Sequence, residues 1–383
     1  MSQIRVGQSC ALDTRQAAED FFRDVEQTEM SLVVFFCSSD HDLTMLAQTF
    51  NRLFAGVPVI GSTSAGGCYG PEGYQPHSLS GVSFSSSDTV AVTTLMQVSP
   101  SFDTAAARDS LSTMRSTLEH KASWARSVNT FALQLIDGLC GQEEVVSRTL
   151  QNALGAINLV GGSAGDGLQF LKTQVFCDGA FHSNHVALAV IATRLPFYLF
   201  KTQHFSPLEE RMVVTRADAA QRIVHELNGL PAASEYARCA GVDVGQLNFE
   251  FFSTTPVVVK FGGKPFIRSI QKVLPDGALK FYCAIEEGVV LHLGQANDLV
   301  QDLNDLSATI ETEVGGPAQL TIGCDCVLRR MAIEQRQLDA TVAPILKAQK
   351  MVGFVTYGEQ YRGAHINQTM TGVAFGASHR EQT

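Results

Sequence analysis

LVVFFCSSDHDLTMLAQTFNRLFAGVPVIGSTSAG (Leu32–Gly66) and FALQLIDGLCGQEEVVSRTLQNALGAINLVGGSAG (Phe131–Gly165) lie on each other without a gap, at a constant offset of 99 residues. Each stretch reads as an apolar strand, a polar turn, an amphipathic helix, a glycine, a second apolar strand and Ser-Ala-Gly. Further strand-like runs follow each copy, LSGVSFSSSDTVAVTTL (79–95) after the first and TQVFCDGAFHSNHVALAVIAT (173–193) after the second. Residues 79–98 are expected to pair as a hairpin across the Ser-Ser-Ser-Asp turn. Such duplication predicts two pseudo-symmetric halves sharing one core. It also sets the Gly-rich turns 61–67 and 160–167 at paired positions around a ligand site.

Outward from the repeat, Asp13-Thr14 caps a helix over QAAEDFFRDVEQ, and Leu43, Leu46, Phe50 and Leu53 form the apolar face of another. A third helix is expected over Thr104–Arg126. This order predicts an α/β (mixed α+β) protein with helices packed on mixed sheets. The repeat ends near Leu199. Beyond it we expect VVTRAD, a helix AAQRIVHELNG closed by Gly229 and Pro231, and strands FEFFS, PVVVKF, FIRSIQKV and LKFYCAIEE. QLTIGCDCVLRR then leads into one long helix, Met331–Lys350, and out into VGFVTYGEQ. The reading gives two domains, residues 1–210 with the internal duplication and residues 211–383, the latter mixed α/β.

Composition narrows the function. An apolar fraction of 45% with 17% charged residues describes a well-packed globular chain. No stretch approaches the roughly 20 apolar residues of a membrane span. The start, MSQIRVGQSC, lacks the apolar core of a signal peptide, so a cytoplasmic location is expected and no membrane partner. A net charge of −10, with Arg329-Arg330 the longest basic cluster, argues against nucleic acid. Nine cysteines without small-scaffold spacing read as buried thiols. Twenty-three Phe against one Trp leave aromatic surface to line an apolar pocket.

The turns GSTSAGG and VGGSAGDG match neither Gly-x-Gly-x-x-Gly nor a phosphate loop. They read as close backbone approach or as the lining of a small-molecule pocket. Asp137 has no aligned carboxylate, although Asp40 is near, and Glu143 and Glu144 suit a first helical turn. Cys324-x-Cys326 places two thiols on one strand face without the second pair a zinc site needs. His182 and His185 flank a turn, either solvated or metal-ligating. No Gly-x-Ser-x-Gly elbow is present; an enzyme is not expected, and any catalysis would fall to Asp137 or Cys140. His204 stands in FKTQHFSPL among Phe200, Phe205 and Pro207. There it is either a satisfied structural residue or the neutral imidazole on an apolar wall that a haem iron requires.

The strand–helix–SAGG unit, its second copy IDGLCGQEEVV…LVGGSAGDG, VVTRADAAQRIVHELNGLPA and VGFVTYGEQYRGAHINQTMTGVAFG together resemble the FIST family of bacterial sensory proteins. The likeness covers about residues 5–377, as an N-terminal and a C-terminal FIST domain. TQHFSPL, TYGEQ and HINQT are similar to the nitric-oxide-sensing haemoproteins of the NosP type, which work with a partner histidine kinase. That resemblance implies haem b held through His204, with the porphyrin against Phe200, Phe205 and Pro207. Lys201 and Arg211, with Arg216 near, would meet the propionates, and His182, His185 and His365 stay open as other axial ligands. It implies nitric oxide and a histidine kinase or phosphotransfer protein as partners, and leaves a homodimer open. The other reading is a haem-free FIST sensor binding a small organic ligand, such as an amino acid, between the repeated turns.

Overall fold

The strand Met30–Ser38 is buried along Leu32–Ser38, too apolar for a sheet with one wet face, so it must be covered on both sides. The computed structural model, which describes residues 4–377, shows what covers it. Strand β1 (Ile4–Ser9) leads to helix α1 (Thr14–Val25), started by the Asp13 carboxylate, which accepts the Gln16 N–H at 2.8 Å. β2 (Met30–Ser38), α2 (Leu43–Leu53) and β3 (Val59–Ser64) form a parallel β-α-β unit. A short hairpin, β4 (Cys68–Gly70) and β5 (Gly73–Gln75), precedes β6 (Leu79–Ser85), which returns antiparallel to β2. After β7 (Thr89–Gln97) and α3 (Thr104–Lys121) the pattern recurs. The second module holds β8 (Thr130–Ile136), α4 (Glu143–Leu154), β9 (Asn158–Ser163), the hairpin β10 (Val175–Cys177) and β11 (Ala180–His182), and β12 (His185–Thr193). β13 (Phe197–Thr202) follows.

The chain then builds a separate unit from residues 203–302 and 366–369. It contains β14 (Phe205–Asp218), β15 (Ile223–Leu227), β16 (Leu230–Pro231), α5 (Ala232–Ala240) and α6 (Phe249–Thr254). β17 (Val257–Phe261), β18 (Lys264–Arg268), β19 (Ile270–Val273), β20 (Leu279–Phe281), β21 (Val290–Ala296) and the opening of α7 (Leu299–Val314) complete it. These strands form one antiparallel sheet, β18-β17-β21-β14-β15-β20-β19, over a core that includes Met212, Val224, Tyr236, Phe252 and Leu291.

A third module follows: β22 (Leu320–Cys326), α8 (Val327–Gln335), α9 (Asp339–Ala348), β23 (Met351–Thr356), the hairpin strands β24 (Glu359–Tyr361) and β25 (Ala364–Ile366), and β26 (Met370–Phe375). The unit built from residues 4–202, 303–365 and 370–377 is therefore triplicate rather than duplicate. Each module's sheet keeps its own parallel pair and return strand, adds one edge strand, and receives the small hairpin of another module. The orders are β1-β6-β2-β3-β10-β11, β7-β12-β8-β9-β24-β25 and β13-β26-β22-β23-β4-β5. The three sheets meet in one apolar cluster including Val34, Phe36, Leu135, Val160, Ile322 and Phe354, where the Phe36 and Phe354 rings stack at 4.5 Å. Helices cover the outer faces, α1 and α2 through Phe21, Leu46 and Phe50, α3 and α4 through Leu111, Met114 and Leu150.

Several expectations are corrected. The continuous domains 1–210 and 211–383 do not describe the fold, because β22–β26 supply a sheet to the first unit and pair with β13 and β4. Residues 79–98 are no hairpin: β6 and β7 lie in different sheets. AAQRIVHELNG is turn and strand, since Arg222 and Gly229 both take positive φ at the ends of β15. FEFFS is helical, started by Asn248, whose side chain accepts the Phe251 N–H at 2.9 Å. The long helix 331–350 is two, α8 and α9, broken where Gln337 takes φ +56°.

Candidate functional site

In open sheets with parallel strands, ligands bind outside the carboxyl ends of the strands, where the connections to the helices diverge. The triplicate unit offers three such places. Their inner borders are the three turns after β3, β9 and β23, which hydrogen-bond in a ring. Ala65 N–H donates to the Val355 carbonyl at 2.7 Å, Gly165 N–H to Thr63 at 3.0 Å, and Tyr357 N–H to Ser163 at 3.2 Å. A Cβ on Gly165 would stand 2.4 Å from the Ala65 backbone, so backbone fills the space between the repeated turns. A ligand between those turns, as the sequence suggested, is thereby corrected.

Two of the three places hold buried carboxylates, and beside that of module 3 a small cavity of about 30 Å³ lies among Tyr69, Tyr74, Arg330 and Asp339. In module 2, Asp137 is 3% exposed and accepts from the Thr173 hydroxyl, the Asn184 N–H and, at 2.9 Å, the Leu139 N–H. In module 3, Asp325 pairs with Arg329 at 3.0 Å, both side chains 1% exposed, and accepts the Tyr69 hydroxyl at 2.6 Å. Burial pushes the Asp325 carboxyl above its ordinary value, against the pull of the Arg329 guanidinium.

The module 1 crevice is open, with a volume of about 520 Å³. Ser39, His41, Thr44, Gln48 and Asn51 line it from the end of β2 and from α2, and Lys172, Gln174 and Phe181 line it from module 2. His41 is nearly enclosed, its Nδ1 3.4 Å from the Thr14 hydroxyl and its ring 4.5 Å from that of His77, which pairs with Asp40 at 3.6 Å. Burial first, then His77, lowers the His41 pKa to about 4, while Asp40 acts the other way. The unfolded chain protonates this residue below pH 6.5, and the folded chain declines the proton down to about 4. Stability is therefore lost as pH falls through that window, by at most about 3 kcal/mol. Urea midpoints at pH 7.5 and 4.5 check this: the decline should shrink in His41→Gln, and an equal decline in both proteins would contradict it.

One segment has no counterpart in the other modules. β3 joins β4 through residues 65–67 and β23 joins β24 through 357–358, but β9 joins β10 through residues 164–174. Asp166 holds this longer link: it accepts the backbone N–H of Phe170 at 3.0 Å and those of Leu171 and Lys172 at 2.7 Å, and the Tyr357 hydroxyl. Phe170 takes φ +54° and stacks on Tyr357 at 4.6 Å. A bulky residue in that backbone region needs such support. The result is a fixed loop that leaves Leu168, Phe170 and Leu171 exposed by 54%, 41% and 78%, immediately before Lys172 of the crevice.

The residues singled out for haem are not gathered in the same way. His204 is 1% exposed, its ring 4.4 Å from that of Phe205, and its carbonyl accepts the Asn297 N–H at 2.7 Å. Phe205 packs with Val258 and Ile267. Phe200 is buried in the triplicate unit, where a Cβ on Gly372 would meet its ring at 2.6 Å. Lys201 and Pro207 are half-buried, Arg211 is exposed on β14, and Arg216 pairs with Glu226 at 3.0 Å. A porphyrin needs an open slot of several hundred Å³ before the ligating nitrogen. An imidazole enclosed under Phe205 offers none, so these residues do not fit a haem as they are folded. His182 and His185 lie 5.1 Å apart between ring centres, and His365 Nδ1 is 3.2 Å from the Gln360 amide. Among the described residues no group of three His, Cys, Asp or Glu side chains could hold a metal ion. Cys324 and Cys326 are both buried.

Sequence reasoning missed His41, Asn51, Lys172 and Gln174. The signals available were Asp40-His41-Asp42 at the first strand–helix link, and the extra residues before TQVFC in the second copy. In comparisons with known proteins, the family model of the FIST N domain matches residues 31–230 and that of the FIST C domain residues 232–362. The junction of the two matches falls inside the second unit rather than at its border. No curated protein matches the chain. Among the described residues no helix is long and apolar enough to cross a membrane.

Proposed function

The chain belongs to the FIST family, whose domains are sensory domains of signal transduction, and from that premise we propose that it senses a small organic ligand in the module 1 crevice. The carrying observation is that, of three equivalent strand ends, two hold internally paired carboxylates, the module 3 end beside a cavity of only about 30 Å³, while the third is an open, polar-lined space of about 520 Å³. An amino acid is of suitable size for that space. The signal leaves through the loop 167–172, because Lys172 faces the crevice and the apolar residues before it face solvent. The receiver is a cytoplasmic signalling partner, such as a histidine kinase or phosphotransfer protein, and the chain itself carries out no catalysis. No sensing step is assigned to His204.

A thermal-shift screen of amino acids and related small organic molecules tests the reading. At least one should raise the melting temperature of the wild-type protein by several degrees, as binding at 100 times Kd stabilises by about 2.7 kcal/mol. Lys172→Ala should abolish the shift without lowering the melting temperature of the unliganded protein. A purified protein with a strong Soret band that responds to nitric oxide and disappears in His204→Ala would overturn this reading in favour of a haem sensor.

A further inference from the structure

We propose that the module 1 crevice recognises a carboxylate, read by the Nε2–H of His41 together with the Lys172 ammonium. The inference rests on the reading of that crevice as the ligand site and adds the chemical class it selects. Thr14 Oγ1 accepts the Asp42 backbone N–H at 3.0 Å and stands 3.4 Å from His41 Nδ1. Thr14 is 7% exposed, and His41 Nδ1 is the acceptor the described residues give its hydroxyl proton. A hydroxyl carries one proton to donate. The hydrogen bond therefore runs from Thr14 to Nδ1, and a neutral imidazole then carries its own proton on Nε2.

That Nε2–H is buried and has no hydrogen-bond partner among the described residues, on a side chain 5% exposed that lines the crevice. A buried donor without an acceptor is a standing deficit, and an incoming oxygen anion removes it. Among the described lining residues Lys172 is the single cation, and none is a carboxylate. One cation matches one negative charge, which favours a monocarboxylate over a phosphate dianion. Leu43, Ala47 and Phe181 supply an apolar wall for the body of the ligand.

Two measurements on the full-length protein decide the matter. Nitrogen-15 NMR of the histidine rings without ligand should show His41 as the Nε2–H tautomer; the Nδ1–H tautomer would overturn the proposal whatever binds. Ligand-observed NMR with matched probes, 4-methylpentanoate against 4-methylpentanamide and L-leucine against L-leucinamide, should give at least tenfold tighter binding for the acid of one pair or both. His41→Phe should lose that preference, and His41→Gln, which keeps an amide donor near the Nε2 position, should retain most of it. Acid and amide binding equally well in the crevice would leave the ligand site standing and overturn the carboxylate. Failure of both pairs, and of a wider amino-acid panel, to bind would overturn the ligand site itself.

Discussion

Gly165→Val should unfold the triplicate unit under conditions where the wild-type protein is stable. A Cβ at this position stands 2.4 Å from the Ala65 N and Cα, which is backbone of another module and is itself tied to Val355 at 2.7 Å. Neither neighbour is the far end of a flexible side chain, so the clash is relieved only by breaking the ring of hydrogen bonds among the three turns. Overpacking by one or two methylenes costs about 1–3 kcal/mol where side chains can move; against fixed backbone we expect about 4 kcal/mol or more. In a protein this size that lowers Tm by roughly 5 °C. Gly56→Ala is the control. Its residue has φ +80° with nothing within 4 Å, so only the backbone conformation is penalised, by about 1 kcal/mol. Equal losses in the two variants, followed by calorimetry, would mean that the repeated turns are mere connections.

The second large effect is expected at the buried ion pair of module 3. Asp325→Ala leaves the Arg329 guanidinium 1% exposed without its partner at 3.0 Å, and removes the acceptor of the Tyr69 hydroxyl. Breaking a buried pair in this way costs about 3–5 kcal/mol, whereas replacing the whole pair by apolar groups of similar volume is often neutral. Asp325→Leu combined with Arg329→Met and Tyr69→Phe should therefore recover to within about 2 kcal/mol of wild type in urea unfolding. A triple variant as unstable as Asp325→Ala would show that charge at this position is needed for more than internal pairing.

The first two modules were legible because β2 and β8 are near-continuous apolar runs and both are followed, after a helix, by Ser-Ala-Gly. The third escaped because its turn reads Thr-Tyr-Gly-Glu-Gln and its helix is interrupted at Gln337. Its strand order nevertheless repeats that of the others, and VGFVTYGEQYRGAHINQTMTGVAF carries the same strand, hairpin and return strand. Hairpin exchange between modules leaves no mark in composition, since β4, β10 and β24 are three residues each and local sequence does not say which sheet they join. The site was hidden for a related reason. His41 and Lys172 are 131 residues apart and come together only because β10 pairs with β3 of the first module. His204, by contrast, drew attention through its aromatic neighbours; it is 1% exposed, with Phe205 packed on its ring.

Hydrogen exchange with and without a small molecule that stabilises the protein locates the ligand. Exchange should slow in residues 39–51 and 172–181, with a change in 167–171 and none in the links 137–142 and 326–330. Protection centred on residues 200–211, with the module 1 crevice unaffected, would contradict a ligand in that crevice.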